Sequence, residues 1–207
     1  MYVEYCNYAS YISDYEIEKL KVFHAVNCGI AGLAMPIHFI GEIKQYLPPG
    51  LTLATPIDYP AGYSSTKTRQ HAVLTSIKSG ANAIDYVLNQ YLLRNKFKEL
   101  FKEVKAIHSI CQNHNAELRI FLDSDRISNP EPLANMLLKM NINKCFPVMG
   151  YHKEDFADTL IVCHQLEEKT GISTIFNGHI MNKNQLNILD KSKIYGYRLY
   201  YLDIWCK

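Results

Sequence analysis

The sequence predicts a (β/α)8 barrel whose last helix is missing or shortened. Three observations lead there. Apolar patterning alternates between short strand-like runs and longer helical stretches, and the alternation persists to the final residues. Runs such as LTLATPI and LRIFLD are apolar nearly throughout, as strands of a parallel sheet covered on both faces are. Eight such strands can be counted, which specifies a barrel, with an open doubly wound sheet as the alternative arrangement.

In chain order, a strand at residues 2–8 precedes a helix at 14–26. A strand at 29–35 precedes a helix at 37–46, stopped by Pro48-Pro49-Gly50. The strand at 51–58 leads to a helix at 66–79, with Ser64 to Thr66 as the capping residues and Ser79-Gly80 as the stop. A strand at 82–88 precedes the clearest helix, 91–113, where Phe97, Leu100, Phe101, Val104, Ile107, His108 and Cys111 recur at helical spacing. Its lysines and glutamates read as a solvated face. Strands at 116–123, 144–149 and 172–177 precede helices at 130–140, 153–169 and 183–190, with turn signals at Asn129-Pro130 and Thr170-Gly171. The eighth strand, 194–202, is followed after Asp203 only by Ile-Trp-Cys-Lys, too little for a helix. Its bulky residues, Tyr195, Tyr197, Leu199 and Tyr201 among them, therefore call for a subunit contact, or for Trp205 and the N-terminal segment folding over the gap.

Composition bounds the function. The chain has 207 residues, 48% hydrophobic and 20% charged, which suits one domain with a substantial core over residues 1–207. A formal charge of +2 supplies no basic field, so nucleic acid is not an expected partner. No apolar run reaches 18 residues and the start has no signal-peptide pattern, so a membrane partner is not expected either. The six cysteines show no zinc-knuckle spacing and read as reduced core residues, pointing to a cytoplasmic protein. No Gly-x-Gly-x-x-Gly or Gly-Lys-Ser/Thr loop is present, and no cofactor is expected.

Two stretches are similar to a known family. Thr55-Pro56-Ile57-Asp58-Tyr59-Pro60-Ala61-Gly62 resembles the strand-three Thr-Val-Ile-Gly-Phe-Pro-x-Gly segment of deoxyribose-phosphate aldolases. Gly80-Ala81-Asn82-Ala83-Ile84-Asp85-Tyr86-Val87-Leu88-Asn89 resembles their strand-four Gly-Ala-x-Glu-Ile-Asp-x-Val-x-Asn. Leu118-Arg119-Ile120-Phe121-Leu122-Asp123 looks like their strand five. The resemblance implies a TIM barrel of the class I aldolase type. It further implies a Schiff-base lysine in Lys-Thr-Ser-Thr-Gly on strand six, a second lysine in Lys-x-Ser-Gly-Gly on strand seven, and a relay aspartate on strand four. A primary amine is needed because an iminium is the electron sink for carbon–carbon cleavage without a metal.

Aligned on Gly150, Phe146 stands at the nucleophile position. Aligned on Gly178, Ile175 replaces the second lysine and His179 a phosphate-loop glycine. Only the relay carboxylate, Asp85, matches the family's catalytic set. The expectation is a catalytically degenerate barrel acting as a binding or assembly subunit, as a homo-oligomer or with a partner protein over strand eight. The alternative is a carbon–carbon lyase of altered mechanism acting on a small phosphorylated sugar or aldehyde. In that reading Lys144, two residues before Phe146 and about 6.6 Å lower on the same barrel face, serves as nucleophile if strand six is slid by a bulge at Pro147, or Asp58, Asp85 and Asp123 hold a divalent cation. The expected rim carries Asp58, Asp85, Asp123, Asp125, His152, Asn177, His179 and Asp203. Of these Asp58, Asp123, Asn177 and His179, with Gly178, are the candidate ligand-binding positions.

Overall fold

The computed structural model describes residues 1–8, 14–123, 127, 129–150 and 155–206, and shows a closed barrel of eight parallel strands in sequence order. The strands are β1 (Tyr2–Cys6), β2 (Gly32–Ala34), β3 (Thr52–Ile57), β4 (Ala83–Val87), β5 (Glu117–Phe121), β6 (Lys144–Phe146), β7 (Ser173–Phe176) and β8 (Gly196–Leu199). β8 closes onto β1, with Glu4 in register with Arg198. All eight expected strands are present, each at or inside the bounds read from the sequence.

The helices are α1 (Tyr15–Asn27), α2 (Ile37–Ile43), α3 (Thr66–Ser79), α4 (Gln90–Asn95), α5 (Phe97–Asn113), α6 (Glu131–Lys139), α7 (Phe156–Thr170) and α8 (Lys183–Lys191). Local chemistry sets several ends. Asp14, Ser65, Asn89, Asp155 and Asn182 accept backbone N–H groups as caps, and Gly80 and Gly171 end α3 and α7 in the left-handed conformation. The long helix expected at 91–113 is two helices: Lys96, at φ −144°, leaves the helical region and separates α4 from α5. β6 is shorter than expected because Pro147 has no N–H to extend the ladder.

Outward-facing strand residues build two cores under the helices. Val3, Tyr5, Leu33, Leu53, Phe176, Tyr197 and Leu199 meet α1, α2 and α8 on one side. Ile57, Ile84, Tyr86, Leu118, Ile120 and Cys145 meet α3, α5 and α6 on the other.

After β8 the described chain forms only a 3-10 turn, Leu202–Ile204. The β8 outer face is nonetheless covered: Tyr197 and Leu199 are buried, Trp205 packs edge-on against Tyr197 at 6.3 Å, and Trp205 and Cys206 join the apolar cluster of α1 and α8. This corrects the expected bare stripe, and the cover comes from the chain's own tail. The cysteine expectation also changes. Cys6, Cys111, Cys145 and Cys163 are buried free thiols, but Cys28 and Cys206 form a disulfide with a Cα separation of 5.8 Å. Among the described residues no helix is long and apolar enough to cross a membrane.

Candidate functional site

Side-chain size determines the barrel interior. On β2, β3 and β4 the inward positions Gly32, Ala34, Ala54 and Ala83 are small, and a Cβ on Gly32 would collide with the Tyr2 hydroxyl. The space they leave is filled by four charged side chains from other strands: Glu4 on β1, Asp85 on β4, Arg119 on β5 and Arg198 on β8, all at most 1% exposed. Arg119 donates Nε to Asp85 Oδ1 at 2.6 Å and Nη1 to Glu4 Oε2 at 2.7 Å. Arg198 donates Nε to Glu4 and Nη2 to Asp85. Each carboxylate is thus bridged by both guanidinium groups, in a neutral ring of alternating charge.

Tyr2 donates to Glu4 at 2.5 Å, and Tyr8 donates to Asp85. Burial pushes the Tyr8 hydroxyl well above its ordinary pKa, outweighing Arg198, so it stays protonated and donates. Burial would raise the Glu4 carboxyl, but Arg119 and Arg198 override it and hold it at about 2. Burial works against both guanidinium charges, yet Asp85 and Glu4 keep both pKa values raised. Asp85, the carboxylate expected to relay protons, has Oδ1 engaged by Arg119 and Oδ2 by Arg198 and Tyr8.

An aromatic layer packs about the charged ring at the carboxyl ends of the strands. Phe121 and Phe146 stack at 4.5 Å, Tyr59 lies 5.6 Å from Phe121 and Tyr8 5.2 Å from Tyr59. The Tyr59 hydroxyl donates to the Met149 carbonyl at 3.0 Å, spanning from the β3 loop to the β6 loop. Phe146, at the position the resemblance assigns to the nucleophile, is fully buried and lies 3.8 Å from the Arg198 guanidinium carbon.

The other expected site residues are dispersed. Lys144 sits at the amino end of β6, its ammonium 2.7 Å from Glu117 and 4.8 Å from the Tyr195 ring centroid. Burial acts to lower its pKa, but the hydrogen bonds to Glu117 and Tyr195 prevail and raise it. β6 pairs in regular register, Arg119 with Lys144 and Phe121 with Phe146, so the strand is not slid.

Asp58, at φ +62°, accepts from the Ser64 N–H at 2.7 Å and the Ser64 hydroxyl at 2.8 Å, and lies 3.5 Å from Arg69. Its carboxylate thereby fixes the loop into α3. Asp123 is buried at the end of β5, also with positive φ. Asp58, Asp85 and Asp123 do not form a cluster of metal-ligating groups among the described residues. Asn177 donates to the Met149 carbonyl at 2.8 Å and accepts from the Tyr200 hydroxyl at 2.8 Å, tying β7, β8 and the β6 loop together. Gly150, at φ +67°, lets that loop pass, because a Cβ there would strike the Asn177 carbonyl. Gly178 follows Asn177, and the His179 ring stacks on Tyr200 at 5.4 Å. Asp203 is exposed on the terminal turn. Asp125 and His152 lie outside the described residues.

Glu4, Arg119 and Arg198 were missed as interior residues. The available signal was a charged residue in the middle of each of these largely apolar strands, two of each sign once Asp85 is counted.

No protein-family model matches the chain. The chain is 28% identical over 102 residues to a deoxyribose-phosphate aldolase of Streptococcus agalactiae serotype Ia, covering 49% of this chain and 45% of the relative. It is 29% identical over 93 residues to the enzyme of that name from Clostridioides difficile, covering 44% and 42%. The matches therefore span less than half the length of these relatives. Among solved structures, the deoxyribose phosphate aldolase of Aeropyrum pernix, described as a unique tetramer, superposes with a TM-score of 0.85 at 13% identity, covering 99% of this chain and 87% of that one.

Proposed function

We propose that the chain, which is similar to deoxyribose-phosphate aldolases in sequence and in fold, lacks their amine chemistry and works as a binding or assembly subunit. One observation carries the reading. Phe146, which the sequence resemblance aligns with the reactive lysine, is fully buried, and its ring is engaged by a buried arginine that is itself locked between two carboxylates. An iminium needs an unprotonated primary amine facing a carbonyl in the upper cavity. Lys144, the lysine of β6, is instead paired with Glu117 at the opposite end of the strand.

In this proposal Asp85 holds the barrel together rather than relaying protons. Asp58, Asp123, Asn177, Gly178 and His179 shape the loops around the mouth of a single domain in a cytoplasmic protein. A homo-oligomer is the simplest assembly, and the tetrameric Aeropyrum pernix protein offers a precedent within the fold. The seam between β8 and β1 is flanked by α8 and α1, which expose Ile188, Ile17 and Leu20, an apolar surface suited to a second subunit. The alternative, a lyase on a small phosphorylated sugar using Asp85 with Lys144 or a metal, requires breaking the Lys144–Glu117 pair or gathering carboxylates that lie apart.

Native mass spectrometry together with a retro-aldol assay on deoxyribose 5-phosphate tests the proposal. An oligomer or partner complex without turnover is expected; a monomer that cleaves the sugar phosphate overturns it.

A further inference from the structure

Away from the barrel mouth, the last turn of α1 and the tail after β8 bring together His24, Cys28 and Cys206, one ligand atom of each lying within 4.8 Å of the others. No other such group of three occurs among the described residues. His24 and Cys28 are four residues apart, so they share one helix face, and the Cys28 sulfur lies 3.9 Å from His24 Nε2. Cys206 is held in place by its N–H bond to the Leu202 carbonyl at 2.9 Å and by the packing of Trp205 against Tyr197. We propose that the reduced chain binds one zinc-class divalent cation through His24, Cys28 and Cys206.

Bond lengths fit this set. Zinc–sulfur and zinc–nitrogen bonds of about 2.3 and 2.0 Å place tetrahedral ligand atoms about 3.5 to 3.8 Å apart. The His24–Cys28 separation of 3.9 Å is already close to that, and the two bonded sulfurs must move apart. Two thiolates and a neutral imidazole give a net-neutral complex with a divalent ion, so Lys183, which lines the adjoining groove, meets no net positive charge. The site sits at the carboxyl end of α1, where helix carbonyls favour a cation. The groove, of about 630 Å³ and lined also by Leu186, Asn187 and Trp205, leaves a fourth position open to water. Cys28 and Cys206 are half-buried and accessible to a reductant, unlike the four core thiols.

The chemistry balances. A phosphine or thiol reductant gives two electrons to the Cys28–Cys206 bond and is itself oxidised. Two protons complete the two thiols, and cation binding then releases those protons. A disulfide oxidant such as oxidised glutathione takes up the two electrons and leaves as two thiols while the Cys28–Cys206 bond re-forms; that removes both sulfur ligands and expels the ion, so the same pair clips the tail either covalently or through a metal.

The test uses the full chain, reduced with a phosphine and freed of it under anaerobic conditions. Zinc is titrated against a chromophoric chelator, and cobalt(II) binding is followed by its thiolate charge-transfer absorption. One equivalent is expected, absent from the unreduced protein and from C206S. In His24→Ala, an exposed position where folding is not at stake, affinity falls by on the order of tenfold or more, since even outer-shell partners of a metal cost that much. Absence of stoichiometric binding by the reduced chain, or binding unchanged in both variants, overturns the proposal.

Discussion

Arg198 on β8 lays its guanidinium 3.8 Å from the centroid of the Phe146 ring on β6, across the interior of the barrel. The same side chain bridges Glu4 and Asp85, so Phe146, which the resemblance aligns with the family's nucleophile, packs against the barrel's charged core. The two side chains are coupled through packing: whatever changes Phe146 also changes the seating of Arg198.

Phe146→Ala removes a fully buried ring from a stack with Phe121 and from the face of Arg198. A loss of about 3–5 kcal/mol in unfolding free energy is expected, measured by urea denaturation.

Replacing one member of the charged ring leaves a buried charge uncompensated. Arg119→Met strands Glu4 and Asp85 with a single guanidinium and should cost about 3–5 kcal/mol. Adding Asp85→Asn removes the surplus negative charge, so the double variant should be more stable than the sum of the two single losses. A double-mutant cycle measures the difference.

The barrel was legible because the strands are short, largely apolar runs alternating with helices marked by caps, stops or a periodic face; LTLATPI followed by Ser65 and Gly80 carries such signals for β3 and α3. The interior was less legible. Pattern reading sorts inward from outward by hydrophobicity, and in a closed barrel both faces are buried, so the charges at Arg119 and Arg198 stand out in their strands without hydrophobicity saying which face they take. The Cys28–Cys206 pairing lies 178 residues apart in sequence, and nothing in spacing announces it. The break at Lys96 escaped because Asn95 and Lys96 are ordinary helix-surface residues.

Glu4 makes stability depend on acid pH. Its carboxyl is held at about 2 in the folded chain against an ordinary value of 4.5. The unfolded chain therefore takes up the proton first as pH falls. The contribution of Glu4 is complete above about pH 4.5 and is lost progressively toward pH 2, an amount of about 3 kcal/mol by linkage. Glu4→Gln should flatten the fall in unfolding free energy over that window, measured by urea titrations at stepped pH.

The Cys28–Cys206 crosslink joins the end of α1 to the tail after β8 and closes nearly the whole chain into one loop. With a chelator present to exclude metal, reduction should lower stability by about 2–5 kcal/mol. Comparison of thermal unfolding of oxidised and reduced protein, with Cys28→Ser insensitive to reductant, checks this.

Borohydride trapping decides whether any lysine of the barrel forms an iminium. The protein is incubated with deoxyribose 5-phosphate or acetaldehyde, reduced, digested and mapped by mass spectrometry. No reduced adduct on any barrel lysine is expected, because Phe146, aligned by resemblance with the reactive lysine, carries no amine and Lys144 is ion-paired with Glu117. A stoichiometric adduct on Lys144, accompanied by cleavage of the sugar phosphate, would contradict this.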